Sequence, residues 1–407
     1  MKKILVLFFY NQHPMRVSSC DHLYSFRRHG GALFHYINLA VSDLPESILS
    51  EFDGVIFHTH LLARRWVSDD FKRIIKKIEP LKKYDIPKLA LPQDDYFKTD
   101  DLIDFYNSNN VTHVYTVAPE DQWEKLYGKL VEKLCFKEIL TGYLEDDTTS
   151  RINSIMESQP ERDIDIGYRA WQAPFWLGRH GQQKVRVAHE FESASQRHGF
   201  NSDISLRLED TFVGDSWYEF LCRCRYTIGV EGGASINDRD GTLQHKVEQY
   251  VRENPDADFD TVEDMFFKGR DGELSLFALS PRHLEACASK TCQILLPGRY
   301  NGILKEGIHY ISVKEDYSDI DEVMSKVNSQ RENIVNQAYE DIVLSGRYSY
   351  STFVKNTCFD VFDIKENSDK SFRESFLSKL WRVKDGISWA RVAVKFKLRQ
   401  VKRKLTA

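Results

Sequence analysis

Glu285 stands in Ser280-Pro-Arg-His-Leu-Glu-Ala-Cys-Ala-Ser-Lys-Thr-Cys-Gln-Ile-Leu-Leu296. Pro281–Ala288 begins a helix and Thr291–Leu296 reads as a strand. A carboxylate in the first turn of a helix is stabilised by the N-terminal partial charge. It can accept two hydrogen bonds from a vicinal diol, and the helix N-terminus itself attracts phosphate. The alternative for Glu285 is a purely local role at the helix start.

A second stretch runs Asp165-Ile-Gly-Tyr-Arg169 to Arg179-His-Gly-Gln-Gln-Lys184. A strand ends in a glycine-containing loop and a helix follows. Loop amides, a helix N-terminus and fixed cations make a pyrophosphate site. The cations here are Arg169, Arg179 and Lys184. A third stretch is Gly229-Val-Glu-Gly-Gly-Ala-Ser-Ile-Asn-Asp-Arg-Asp-Gly241. Gly232 and Gly233 after a strand let the backbone approach a ligand. Glu231, Ser235, Asp238 and Asp240 offer partners for sugar hydroxyls. Asp238-Arg-Asp240 also fits a metal-holding D-x-D, but any acidic turn does. The EF-hand spacing fails, since aligning Gly241 with the loop glycine puts Val247 at position twelve. A sugar-facing loop is favoured and no metal site is expected.

These residues need elements to position them. Lys3–Tyr10 is a continuous apolar run, as expected of a buried parallel strand. Further strands are expected at Phe34–Leu39, Phe52–His60, Pro87–Pro92 and Val111–Val117. Helices are expected at Asp69–Tyr84, Asp101–Ser108 and Pro119–Glu132. Glu145–Arg162 is polar and reads as a linker. The alternation then restarts with a strand at Asp163–Tyr168, a helix at Lys184–His198 and strands at Tyr226–Val230, Thr291–Leu296 and His309–Val313. Asp319–Tyr339 is helical. Alternating strands and helices give an α/β fold of two Rossmann-like, doubly wound domains facing a cleft. The boundaries expected are 1–148, 160–345, a helical segment 346–365 and a basic amphipathic tail 366–407. Neither G-x-G-x-x-G after the first strand nor a P-loop is present, which argues against NAD binding and P-loop NTPase chemistry.

The chain has 407 residues, 42% apolar and 29% charged, an ordinary core-forming composition. Its longest apolar run is far short of the ~20 residues that a spanning helix needs. No secretory signal is read at the start. Seven cysteines at scattered spacing, without C-x-x-C, read as reduced thiols in a cytoplasmic protein. The net charge of −5 hides an asymmetry: Lys370–Ala407 holds twelve Lys/Arg and two Asp/Glu, a net of +10 against −15 elsewhere. In that tail Phe376, Leu380, Val383, Ile387, Ala390, Val394, Leu398, Val401 and Leu405 recur at three- and four-residue spacing, with Trp381 and Trp389 flanking. This is the pattern of an interfacial amphipathic helix at an anionic membrane surface. The acidic body disfavours a nucleic-acid partner.

The stretch Arg282, Leu284, Glu285, Ala286, Cys287, Ala288 and Thr291–Leu296 resembles the nucleotide-sugar half of GT-B-fold glycosyltransferases. The type is the "glycosyl transferases group 1" kind related to spore-coat glycosyltransferase-like proteins. The resemblance covers 160–345. It implies that Glu285 accepts hydrogen bonds from the donor ribose and that Arg169 and Lys184 hold the donor diphosphate, with Arg282 in the same motif. Position 277, where retaining members often carry a second Glu, is Phe277, so the stereochemistry stays open. It also implies that the first domain holds the acceptor, which can be a glycan, a lipid-linked glycan or a protein, and that the segment near Tyr348–Phe362 returns to that domain. An inverting transferase needs a base to deprotonate the acceptor hydroxyl. His13, in the loop after the first strand, and Asp94 are the choices there. No cofactor is expected beyond the nucleotide-sugar substrate. The expected setting is surface glycan or glycoprotein assembly, peripheral at the inner membrane face. Two other readings remain open: a sugar-nucleotide epimerase of the same fold, and an inactive glycosyltransferase-like binding protein.

Overall fold

The computed structural model describes residues 1–159, 161–365 and 376–406. The chain divides into two compact units, Met1–Ile139 with Phe353–Ala407, and Leu140–Thr352. The side chains of Phe376, Leu380, Trp381, Val401 and Leu405 lie outside the described residues.

The first unit carries six parallel strands: β1 Lys3–Phe8, β2 Leu33–Asn38, β3 Gly54–Phe57, β4 Lys88–Ala90, β5 His113–Thr116 and β6 Cys135–Glu138. Their order in the sheet is β2-β1-β3-β4-β5-β6. Helices cover both faces of such a sheet, so Ile4–Phe8 is wholly buried and must be apolar without alternation. The helix Ser68–Ile78 buries Phe71, Ile74 and Ile78, the three- and four-residue spacing expected of it. Pro119–Glu132 differs from the single helix expected. It forms short turns around Trp123–Tyr127, ended by Gly128 at φ 54°. The strand β6 gives no apolar signal because three of its four residues are exposed at the sheet edge. The helix Tyr350–Phe362 brings Phe362 against β3. A Cβ on Gly54 would lie 2.5 Å from the Phe362 ring, so only glycine fits there.

The second unit has a five-stranded parallel sheet: β7 Ile164–Arg169, β8 Ser202–Ser205, β9 Cys224–Gly229, β12 Cys292–Leu295 and β13 Ile311–Ser312. The order is β13-β12-β9-β7-β8. Between β9 and β12 the chain adds an antiparallel ribbon of β10 Gly232–Ala234 and β11 Leu276–Ala278. Ile166, Tyr226, Ile228 and Ile294 form the sheet's share of one core, with Val187 and Phe191 of the helix Arg179–His198 and Val327 of the helix Ile320–Ala338. Both units are therefore doubly wound and Rossmann-like.

The stretch expected as a linker is a helix, Asp146–Ser158. Two acids in its first turn complement the helix dipole, and Ile152 is fully buried where it packs on the helix Asp215–Arg223. One buried apolar residue among polar neighbours is too weak a pattern to read from sequence.

Arg162 ties the amino ends of three strands. Its guanidinium donates to the carbonyls of Leu221 (3.2 Å), Cys224 and Ser289 (2.6 Å) and to the Thr291 hydroxyl (3.1 Å). Removing it takes four hydrogen bonds from this junction, and Leu221 keeps the Thr291 hydroxyl as a donor. Arg162→Met should lower the unfolding free energy by about 2–4 kcal/mol, read as a lower urea midpoint with unchanged slope.

Candidate functional site

In a doubly wound sheet, ligands bind outside the carboxyl ends of the strands, where the strand order reverses. In the second unit that point lies between β7 and β9: the chain moves from β7 outward to β8, then from β9 outward to β12. A cavity of 250 Å³ opens there. Its walls are Tyr168, Ala170 and Trp171 at the end of β7, and Thr227 to Val230 along the end of β9. The Thr227 hydroxyl donates to the Gly167 carbonyl at 2.9 Å and holds these two strands together at its floor.

The helix Pro281–Ala288 presents its N-terminus to the cavity through Ser280, Arg282 and His283. The Ser280 side chain caps it by accepting from the Arg282 amide. Proline at the first helical position suits this start, because its missing N–H would have had no partner. His283 is buried, and its Nδ1 is 2.7 Å from Gln293 Oε1, while Gln293 Nε2 donates to the His283 carbonyl at 3.2 Å. That pairing puts a proton on Nδ1. Burial lowers the His283 pKa to about 4, so the ring is neutral at pH 7.

Glu285 is the fifth residue of this helix and no acid lies in its first turn, which corrects the expected dipole contact. Its carboxylate is oriented instead by the Trp217 indole, which donates to Oε2 at 2.8 Å. Trp217 itself lines the cavity. Arg282 donates to the Arg169 carbonyl, and its guanidinium lies 5.4 Å from the centre of the Trp217 ring. Lys184 lines the cavity from the second turn of the helix Arg179–His198. Trp217, Arg282 and Lys184 line the cavity, and Glu285 is joined to them through the Trp217 indole.

The structure places Arg169 elsewhere. It ion-pairs with Asp203 at 2.7 Å, donates to the carbonyls of Asp203, Tyr168 and Asp210, and stacks over Phe212 and Phe220. Its charge is committed to the protein, and only its backbone serves the cavity, through Arg282. Arg179 ion-pairs with Asp260 (3.0 Å) and Glu263 (2.5 Å).

The glycine loop separates in the same way. Gly232 lines the cavity. Gly233, at φ 125°, faces the Leu276 carbonyl, which a Cβ would meet at 1.8 Å, so this glycine serves ribbon packing. The buried Glu231 carboxylate accepts from the amides of Tyr300 (2.6 Å) and Arg299 (3.1 Å) and fastens the 298–300 loop. Ser235 donates to Asp271 at 2.6 Å. Asp238 accepts from the amides of Gly241, Leu243 and Gln244, and Asp240 from that of Thr242, so the D-x-D pair caps the helix Thr242–Glu253.

In the first unit, His13 is exposed on the loop after β1, and Asp94 is half-buried on the loop after β4. The strand β3 lies between those two strands, which puts their carboxyl ends two strand spacings apart, about 10 Å. Asp94 has φ 57° and accepts from the Tyr96 hydroxyl at 3.1 Å. The neighbouring His58 and Asp95 are engaged within the unit. His58 is wholly buried, 2.8 Å from His22 Nδ1, and Asp95 is buried under the hydroxyls of Thr116 and Tyr127.

Sequence reasoning missed Trp217, Tyr168, Trp171, His283 and Gln293. Trp217 carried the best available signal, an aromatic in the amphipathic run Asp215–Arg223.

No protein-family model matches the chain, and no curated protein matches it. Among solved structures it is similar to HepE from Anabaena in complex with UDP-glucose, at 10% identity over 89% of this chain and 100% of that one, with TM-score 0.47. It is also similar to a glycosyltransferase from Rickettsia africae (11% identity, 90% and 99% covered, TM-score 0.44). A third is the pneumococcal O-GlcNAc transferase GtfA in complex with UDP and GlcNAc (10%, 78% and 59%, TM-score 0.37).

The histidine beside the cavity makes a pH prediction. A His with a folded pKa near 4 against an ordinary 6.5 is protonated first in the unfolded chain as pH falls. Its stability contribution is complete above pH 6.5 and is lost as pH falls toward 4. Urea midpoints should drop across that window. His283→Gln should flatten the dependence by up to about 1.4 kcal/mol per pH unit, one proton's worth.

Proposed function

We propose that this chain is a glycosyltransferase that moves a sugar from a nucleotide-diphosphate donor to an acceptor hydroxyl. The observation that carries the proposal is the cavity at the strand-order reversal of the second unit. It combines two cations, a helix N-terminus and aromatic walls, and Trp217 of those walls donates to the Glu285 carboxylate. Lys184, Arg282 and the helix N-terminus at Ser280 suit a diphosphate, whose negative charge grows as the sugar leaves. Glu285, turned by Trp217, suits the ribose diol. Tyr168, Trp171 and Trp217 offer apolar area for the remainder of the nucleoside. Gly232 is the loop glycine that admits the sugar.

Arg169, Glu231, Gly233 and Ser235 take supporting parts in this reading. Arg169 positions Arg282 through its carbonyl, Glu231 fixes the 298–300 loop, and Ser235 and Gly233 shape the ribbon after β9. The base is His13 or Asp94 of the first unit, if the reaction inverts. The acceptor is a glycan, a lipid-linked glycan or a protein. The setting is surface glycan or glycoprotein assembly in the cytoplasm, at the inner face of a membrane.

Binding to the native state alone raises stability by ~2.7 kcal/mol at a hundredfold excess over the dissociation constant. Thermal unfolding against a panel of nucleoside diphosphates and nucleotide sugars should show a shift of several degrees for one nucleotide. Glu285→Ala should abolish that shift, and Arg169→Lys should leave part of it. A shift that survives Glu285→Ala removes the ribose assignment. Product analysis with the bound donor separates transfer from epimerisation and from binding without turnover.

A further inference from the structure

The C-terminal helix, Phe376–Thr406, has two different faces. One is docked on the first unit beside β2, the edge strand of its sheet. On that face the Trp389 ring meets Phe8 and Tyr10 at 6.1 and 5.8 Å, and its indole donates to the Tyr24 hydroxyl. Asp385 ion-pairs with Arg27 at 3.1 Å, and Val392 is 1% exposed. The docked face therefore has its partner within the same chain.

The other face is apolar and open. Val383, Ile387, Val394 and Leu398 are 50–64% exposed, and with exposed Ala390 they fall on one stripe at helical spacing. Exposed Lys384, Arg391 and Lys395 border it on one side, and exposed Lys379 and Lys397 on the other. The one acid between 376 and 406 is Asp385, which is turned into the docked face. The outward surface is an apolar stripe between two rows of cations.

We infer that this stripe rests on an anionic lipid surface, with Val383, Ile387, Val394 and Leu398 at the level of the headgroup–acyl boundary and the lysines and arginines among the lipid phosphates. The charge pattern selects this occupant. Stripe-to-stripe pairing of two copies would set the cation rows against one another, whereas anionic headgroups neutralise them while the apolar residues leave water. No helix of the described residues is long and apolar enough to cross a membrane, so the contact is made along the helix. Docking through Trp389 and Asp385 joins the stripe to the first unit and fixes which helix face turns outward. The inference deepens the membrane setting of the proposed function and does not depend on the donor cavity.

The test is co-sedimentation of the full chain with vesicles of phosphatidylcholine alone and of phosphatidylcholine with phosphatidylglycerol in equal amounts. The chain should pellet with the anionic vesicles, stay in solution with the neutral ones, and be released by raised salt. Ile387→Glu with Val394→Glu should reduce the bound fraction at least tenfold, and Arg391→Glu with Lys395→Glu should do so with the apolar stripe intact. All four positions are exposed, and unchanged thermal unfolding checks that the variants fold. Failure of the chain to bind anionic vesicles, or equal binding by the variants, overturns the inference. So does concentration-dependent dimerisation lost in Ile387→Glu/Val394→Glu without vesicle binding, which assigns the stripe to a second copy. The nucleotide-induced thermal shift should be unchanged in every tail variant, so loss of vesicle binding and loss of the donor site are read separately.

Discussion

The alignment of β7, β9 and β12 at their amino ends governs the second unit. Arg162 makes it by joining the segment just before β7 to carbonyls at the start of β9 and before β12. Thr291 reinforces it by donating to the Leu221 carbonyl at 2.7 Å. The register sets Leu295 opposite Gly229, and the pairing of Ile164 with Cys224 carries Arg169 to the same level, so the three strands end together. The cavity is the space left at that level, where the chain parts to opposite sides of the sheet. A guanidinium suits the task because it donates in several directions within one plane.

The first unit uses the same device at the opposite end of its strands. Arg65 is fully buried and donates to the carbonyls of Leu62 (3.1 Å), Gln93 (2.8 Å), Asp94 (2.5 Å) and Phe97 (2.8 Å). The loop after β4 is thus held from inside while the Asp94 side chain stays half-buried. Loops at the carboxyl ends of parallel strands cannot draw on the sheet ladder for their hydrogen bonds, so side chains must supply partners. Much of the polar residue content in both units has this duty. Glu231 holds the 298–300 loop, Asp238 caps a helix, and His22 and His58 pair with each other in the interior.

The readable parts of the fold were those where burial on both faces demands an unbroken apolar run, or where one buried face demands helical spacing. β1 and the helix Ser68–Ile78 are of these kinds. Asp146–Ser158 and β6 were not readable, because the first needs one fully buried apolar residue and the second lies largely exposed at an edge. The candidate site follows the same division. Glu285 and Arg282 stand on a helix whose start is marked by Ser280-Pro281, and the structure sets both beside the Trp217 ring. Arg169 and Glu231 look equally suitable in sequence, yet each has its charge taken up by protein groups.

The sequence by itself determined the class of fold, the restart of the strand–helix alternation in a second unit, and the two-sided charge of the tail. These follow from periodicity and composition, which are local properties of the chain. Tertiary structure alone decided which polar residues are available to a ligand. Neighbouring residues on a strand point to opposite faces, so Tyr168 lines the cavity while Arg169 turns to Asp203. It also decided which face of the terminal helix is covered and which is open. Trp389 and Val383 belong to one amphipathic pattern, and only the packing against Phe8 and Tyr10 separates the docked side from the exposed one. In each case the deciding contact comes from a residue distant in sequence, and no local pattern carries that information.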